Sequence, residues 1–296
     1  MPELPEVETI RRGLELGITS QTISAVEVMW EKSFPVPADL MSSIVVGAKI
    51  QRLDRRAKVL IIHLDNEYSL MIHLKMTGQM VLQKSDGERF AGGHPTESMR
   101  QPLPDKSTKV IFGFESGDTL FFNDFRKFGW IKLVLTDEIP LDPLVARLGP
   151  EPMSSDFTVA GFQTQLNRHK RAPIKPTILD QSTVSGVGNI YADESLHLAK
   201  IHPERLSGEL SPSEVKRLYL AIREIIGLGI EYGGTSFTSY VNALGGKGDY
   251  LDHARAFRRE GAPCLVCGTE IVKIKVAGRG THFCPKCQKL TVSSRT

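Results

Sequence analysis

Toward its C-terminal end the chain reads Cys264-Leu265-Val266-Cys267, then sixteen residues, then Cys284-Pro285-Lys286-Cys287, and it has no other cysteine. Two C-x2-C knuckles at this separation bring four thiolates round one Zn2+ in a tetrahedron, each pair supplied by a tight turn, with Gly268 and Pro285 as turn residues. Two disulfides would use the same four residues, but a chain that is not secreted keeps its thiols reduced. The spacing therefore predicts one structural zinc held by Cys264, Cys267, Cys284 and Cys287. Between the knuckles, Ile271, Lys273 and Lys275 fall on the alternate positions of a β-hairpin, with Ala277 to Thr281 as its tip. The tip carries Arg279 between two glycines, a guanidinium placed to enter a groove or a site.

The same stretch is basic. From His253 to Thr296 nine Lys and Arg face two Glu, a net of +7 within a chain of formal charge +3, so the preceding residues sum to −4. Such a concentration suits a polyanionic partner, because each phosphate neutralised releases condensed counterions; it also suits a solvated tail. With 296 residues, 41% of them apolar, the chain has room for two or three cored domains, which excludes disordered and fibrous classes. The best apolar run, Val59 to Ile62, is cut by His63 and Asp65, too short for a membrane span. Residues Met1 to Glu8 carry three glutamates and no basic residue, unlike a signal peptide, so a cytoplasmic protein is expected.

Upstream, Pro5 and acidic residues suit the first turn of a helix whose Val7, Ile10 and Leu14 share one face. Short β-branched or alternating runs follow at Ile23–Val28, Val59–Leu64, Tyr68–Ile72, Met80–Leu82, Val110–Phe114, Thr119–Asn123 and Ile131–Leu135. Without helical crossovers these predict a sandwich or barrel. Lys84 to Lys109, polar and rich in Gly and Pro, reads as a long mobile loop. Pro140, Pro143, Pro150 and Pro152 punctuate a linker, and helices are expected over Ser155–Asn167, Pro173–Leu179, Asn189–Ala199 and Pro212–Tyr232. Before the third lies Gly186-Val187-Gly188-Asn189, whose glycines let backbone approach a ligand, with Asn189 as N-cap and amides free for phosphate.

The opening Met1-Pro2-Glu3-Leu4-Pro5-Glu6-Val7-Glu8-Thr9, then Arg55-Arg56-Ala57-Lys58, His73-Leu74-Lys75-Met76-Thr77-Gly78, Asp124-Phe125-Arg126-Lys127-Phe128-Gly129, Gly186-Val187-Gly188-Asn189-Ile190-Tyr191-Ala192 and the four cysteines occur in one order. In that order, along nearly the whole chain, they resemble the formamidopyrimidine-DNA glycosylase family. The resemblance implies an α+β multidomain fold: a catalytic β-sandwich with a leading helix over residues 1–137, a helix-two-turns-helix DNA-binding domain over 138–255, and a zinc-bound β-hairpin over 256–296. It implies a base-excision repair enzyme that removes oxidised purines such as 8-oxoguanine and formamidopyrimidines and cuts the abasic strand by β,δ-elimination. The expected partner is duplex DNA containing oxidised bases or abasic sites, with no membrane and a monomeric enzyme.

The chemistry asks for an amine nucleophile, since attack on the deoxyribose C1′ gives an imine that acts as electron sink for elimination. Pro2 can supply it once Met1 is removed, and an α-amino group titrates at roughly 7.7–8.0 before the helix's positive end and, as the resemblance implies, a nearby Lys58 disfavour its protonation. Glu3 beside the sugar suits proton transfer to the ring oxygen. By resemblance, Lys58 aids elimination and grips phosphate, Arg279 serves the second elimination, and Glu6 lines the base pocket. Extruding a base leaves a vacancy to be filled. The family's wedge of Met, Arg and Phe matches Met76, Arg126 and Phe128, apolar atoms to unstack a step and a guanidinium for the orphaned base. His73, Arg171, Asn189 and Lys175 match phosphate ligands.

The chain departs from the family in three places. Lys106-Ser107-Thr108-Lys109 stands where a histidine motif is common, so one phosphate contact is lost or supplied by a lysine. Phe257-Arg258-Arg259-Glu260-Gly261 replaces a Tyr-Gly-Arg-Glu-Gly pattern, and Asp249 precedes Tyr250 in the segment 235–253, where the family closes over the damaged base. Two other readings stay open: a sister glycosylase for oxidised pyrimidines, and a non-catalytic reader of damaged DNA. The Leu4 to Thr9 opening and the Arg126-Lys127-Phe128 wedge favour the purine enzyme over the first. Covalent trapping on abasic DNA separates it from the second.

Overall fold

The computed structural model describes residues 1–94, 99, 101–235 and 249–290. The chain forms two compact units, Met1–Ala146 with Tyr232–Asp249, and Arg147–Glu231 with Tyr250–Thr296. Among the described residues no helix is long and apolar enough to cross a membrane.

In the first unit, helix α1 (Leu4–Ile18) starts with Pro5 in its first turn, where a missing N–H costs nothing, and buries Val7, Ile10, Leu14 and Ile18. Strand β1 (Ile23–Val28), a short helix α2 (Ala38–Leu40) and strands β2 (Ile50–Arg56), β3 (Val59–Leu64), β4 (Tyr68–His73), β5 (Gly78–Gln83), β6 (Arg89–Gly93), β7 (Thr108–Phe114), β8 (Thr119–Asp124) and β9 (Trp130–Leu135) follow. They form a five-stranded antiparallel sheet, β1-β7-β8-β5-β6, and a four-stranded one, β2-β3-β4-β9. One core takes Leu60, Ile62 and Ile72 from the smaller sheet, Met80, Phe112 and Phe122 from the larger and the apolar stripe of α1. Each such side chain contributes about 1.5–3 kcal/mol on leaving water. The other face of β3, Val59 and Ile61, packs with Met71 and Ile139, so both faces of this strand are buried and its sequence runs apolar from Val59 to Ile62.

Two strands lack a sequence signal. Strand β2 sets Ile50 and Leu53 three apart among polar and charged residues, because its register shifts between Ile50 and Arg52, and β6 lies inside the stretch expected to be a long mobile loop. That expectation is corrected: Lys84 accepts a turn bond from Gly87 and donates to Glu88, and Arg89–Gly93 pairs with β5. Pairing energy from a neighbouring edge, invisible in local composition, makes this strand.

The second unit holds helices α3 (Val159–Arg168), α4 (Ile174–Leu179), α5 (Asn189–Ala199) and α6 (Pro212–Glu231) and the hairpin β10 (Val272–Val276) and β11 (Arg279–Phe283). Helix α3 starts later than the expected Ser155 because the Thr158 hydroxyl accepts the Gly161 N–H at 3.1 Å and fixes the cap there. The cap of α5 is Gly188; Asn189 is its first helical residue, not its cap. In the hairpin Val276 pairs with Arg279, leaving a two-residue turn, Ala277-Gly278, both at positive φ. That is a tighter tip than Ala277 to Thr281, in the turn class that matches strand twist.

Candidate active site and nucleic-acid interface

Register alone gathers the first unit's polar elements. Arg56 pairs with Val59, leaving the turn Ala57-Lys58, with Ala57 at φ +51°. Val59 pairs with His73, and His73 with Trp130. From His73 the chain crosses to the other sheet and enters β5 at Gly78; from Asp124 it crosses back and enters β9 at Trp130, and Gly78 pairs with Asp124. The Lys58 turn and both crossings therefore leave the sandwich at one end.

Helix α1 brings its own start to bear. Met1 is exposed while Pro2 and Glu3 are buried. The Glu6 carboxylate is shared: Oε2 accepts the Glu3 N–H at 2.8 Å, and Oε1 accepts the Thr235 N–H and hydroxyl at 2.8 and 3.0 Å. Glu6, expected in the base pocket, thus ties the helix start to the residue that begins the expected lesion-capping segment. Of that segment, 236–248 lies outside the described residues. One turn on, Glu8 accepts from Arg11, from Arg12 at 2.8 Å and from Arg55 at 3.1 Å, and Arg55 donates to the Ala57 carbonyl at 3.0 Å, directly before Lys58. Burial pushes the Glu8 carboxyl up, but the hydrogen bonds and charges of these arginines overcome it and hold the group at about 2.

His73 is buried, and its Nδ1 accepts the Lys75 N–H at 3.0 Å. Burial, then the charges of Lys75 and Lys58, push it down to about 3, so the ring is neutral at pH 7 and its proton sits on Nε2, an N–H donor. His94 has no counterpart among the sequence expectations. Its N–H donates to the Gly78 carbonyl at 3.1 Å, and its imidazole is held below the usual value by burial and by the charge of the amino terminus, with Asp124 opposing. The amino terminus therefore acts on the same end of the sandwich. Composition gave no signal for His94 because β6, which carries it there, was not legible.

On the crossing loops Met76, Phe128 and Arg126 are exposed, and the Arg126 guanidinium lies over the Phe128 ring at 4.9 Å. Phe125, also exposed, stands beside them. Of the two lysines standing where the family's histidine motif is common, Lys109 turns inward, its Nζ donating to the carbonyls of Lys106 and Thr108 at 2.8 and 3.2 Å, whereas Lys106 is exposed with its Nζ 5.8 Å from the centre of the Phe125 ring.

In the second unit, Arg171 is exposed in the turn between α3 and α4, and Arg279 is exposed at the hairpin tip. Asn189 Nδ2 donates to the Gly280 carbonyl at 3.1 Å. Lys175, read above as a phosphate ligand, is corrected. It is fully buried, 2.6 Å from Asp193, and donates to the Gly280 carbonyl and Thr281 hydroxyl. An ammonium withdrawn from water needs a partner charge, and it has one. Asp193 also accepts the His282 N–H at 2.9 Å, so the interior of α4 and α5 fixes the strand that presents Arg279.

The four cysteine sulfurs lie within 4.8 Å of one another, at 3.5 Å for Cys267 and Cys284 and 4.0 Å for Cys264 and Cys287. A tetrahedron with Zn–S bonds of about 2.3 Å has edges near 3.8 Å, whereas a disulfide needs about 2.05 Å. The cysteines are unpaired, and the set fits one structural zinc. Gln288 binds the Cys284 N–H and the Ile201 carbonyl, anchoring the second knuckle to the helical part of the unit.

A β-sandwich with a polar end, four helices and a four-cysteine hairpin are the parts of a DNA-repair glycosylase, and comparison with known proteins agrees. Residues 1–131 match the formamidopyrimidine-DNA glycosylase N-terminal domain, 148–241 the formamidopyrimidine-DNA glycosylase H2TH domain, and 261–290 the zinc finger found in FPG and IleRS. The formamidopyrimidine-DNA glycosylases of Herpetosiphon aurantiacus and Heliobacterium modesticaldum are 43% and 41% identical to this chain, over 97% and 98% of it and all of each relative. A Lactococcus lactis FPG variant bound to DNA containing Fapy-dG superposes with a TM-score of 0.86 at 37% identity, covering 98% of this chain and all of that one. A MutM bound to DNA with carbocyclic 8-oxo-G gives 0.85 at 37%, with the same coverage. The chain belongs to the formamidopyrimidine-DNA glycosylase family, whose reaction is removal of oxidised purines with lyase cleavage of the abasic strand.

Proposed function

We propose that the chain performs its family's reaction through Pro2 on duplex DNA carrying oxidised purines or abasic sites. The observation that carries the reading is the convergence at one sandwich end of the Lys58 turn and the two crossing loops. With Met1 removed, the Pro2 nitrogen attacks C1′, the bond to the base breaks and the base leaves with a proton. Glu3 protonates the sugar's ring oxygen, and the ring opens to an iminium that draws electrons from C2′. Loss of the C2′ proton expels the 3′ phosphate, and a second elimination expels the 5′ phosphate. Lys58 and Arg279 steady the departing phosphates as charge grows on them. His73 Nε2–H, Arg171 and Asn189 hold phosphates along the strand, Glu6 lines the base pocket, and Met76, Arg126 and Phe128 fill the vacated stack. Zinc takes no part in a step; held by Cys264, Cys267, Cys284 and Cys287, it fixes the hairpin that presents Arg279. The enzyme works as a monomer in the cytoplasm.

Borohydride trapping on an abasic duplex is the test. A covalent adduct that peptide mass spectrometry assigns to Pro2, with faster release of 8-oxoguanine than of thymine glycol, is the expected result. Retained Met1 with undiminished strand nicking would overturn the mechanism, and steep salt-dependent binding without any adduct would leave only a reader of damage.

A further inference from the structure

Both crossing loops that carry the wedge are short and strained, and a single carboxylate holds them. Lys75 and Lys127 adopt left-handed backbone, φ +50° and +59°, a conformation costly for residues with a Cβ. Asp124 lies at 0% exposure between the loops. Its Oδ1 accepts the Thr77 hydroxyl and, at 3.1 Å, the Arg126 N–H; its Oδ2 accepts the N–H groups of Phe128 at 2.7 Å and Gly129 at 2.6 Å. The Thr77 oxygen takes a second share of the Arg126 N–H, at 3.0 Å. Position 129 must be glycine for this seat to exist, since a Cβ there would stand 2.7 Å from the Phe122 ring and 3.2 Å from Asp124 Oδ2. The Thr77 side chain belongs to the first loop and every backbone donor to the second.

We propose that Asp124 and Thr77 are positioning residues that join the Met76 loop and the Arg126–Phe128 loop into one preformed wedge, and so govern the enzyme's ability to extract a stacked damaged base. The inference rests on the reading that these loops enter the DNA. A wedge that separates stacked bases must not yield when pushed. Two loops free to move apart would lose on contact the order that the carboxylate supplies in advance. A base already missing from a single strand needs no such push, so the two residues act on extrusion and not on the Pro2 chemistry.

The experiment compares single-turnover release of 8-oxoguanine from a duplex with borohydride trapping on a single-stranded abasic oligonucleotide, using the full zinc-loaded chain. Thr77→Val, which keeps shape and removes one bond, is expected to slow duplex excision by about tenfold, the equivalent of one hydrogen bond, and to leave single-strand trapping within about twofold. Thr77→Ser is expected to restore the rate, and Asp124→Asn to slow duplex excision further. Phe128→Ala is expected to cost less in the Thr77→Val background than alone, because the two act as one unit. An equal fall on both substrates would make the pair merely structural and overturn the proposal, as would unchanged excision by Thr77→Val in a protein that Phe128→Ala slows. If Met76→Ala and Phe128→Ala both leave duplex excision unchanged, the wedge reading itself fails and takes this inference with it.

Discussion

Lys58 and the Arg126 loop stand on a sandwich whose interior holds Phe112, Phe122, Ile62 and Leu14, whereas Arg279 stands on a two-stranded hairpin whose own apolar interior is Ile271 with Cys264 and Cys284. Both regions present cations from tight turns at positive φ, at Ala57 in one and at Ala277-Gly278 in the other. The sandwich has enough buried apolar surface to hold its turns and uses carboxylates, Glu8 and Asp124, to aim them. The hairpin lacks that surface, so metal and a buried ion pair do the holding. Small modules with little core depend on such staples, and the dependence makes one region far more sensitive than the other to a single chemical insult.

The largest expected effect is zinc removal. Structural zinc contributes about 10–16 kcal/mol in isolated finger peptides, so chelation, or Cys284→Ser, should abolish strand cleavage and DNA binding while the sandwich's β circular dichroism survives. Loss of the sandwich signal along with cleavage would erase the contrast. Next comes Lys175→Met, which takes from the buried Asp193 its lysine partner and leaves it only the contacts of His282. It should cost about 3–5 kcal/mol in denaturant unfolding of the second unit, and Lys175→Met with Asp193→Asn together should recover part of it. Additive losses would show that the pair is not coupled.

On the sandwich side the expected effect is acid sensitivity. The Glu8 carboxyl is depressed from 4.5 to about 2 in the folded chain, so its stabilisation is complete above pH 4.5 and is lost as pH falls through the folded value. The shift is equivalent to about 3 kcal/mol, since each pKa unit is 1.36 kcal/mol. Glu8→Gln should therefore be less stable than the parent at pH 7, with most of the difference gone by pH 2.5 and the rest lost below the folded value, measured by urea midpoints. A difference independent of pH would mean that packing, not charge, is the role of Glu8. The smallest effect belongs to Thr158→Ala, which removes the α3 cap and should lower stability by about 1 kcal/mol in the second unit, with DNA affinity unchanged.

The four cysteines and the amphipathic stripe of α1 were legible because each is a local spacing rule: C-x2-C makes a turn of ligands, and Val7, Ile10 and Leu14 recur at the helical period. Strand β6 was not, since Arg89-Phe90-Ala91-Gly92-Gly93 has no alternation of its own and becomes a strand only on the edge of β5. Lys175 was read outward for the same reason that its burial was invisible. The family resemblance alone put it on phosphate, and the carboxylate that draws it inward, Asp193, lies eighteen positions away on the next helix.

What the sequence determined by itself was the inventory: a candidate amine at Pro2, acids at Glu3 and Glu6, a candidate wedge of Met76, Arg126 and Phe128 marked by resemblance, four metal ligands, and the class of fold that periodicity allows. Tertiary structure alone decided the partners, that Glu6 grips Thr235, that Asp124 gathers two loops, that the His94 N–H meets the Gly78 carbonyl, and that Lys175 holds a strand. Periodicity and spacing act within about a turn or a strand, whereas a buried charge or an unpaired N–H is satisfied by whatever the fold brings near it, and sequence distance places no bound on that choice.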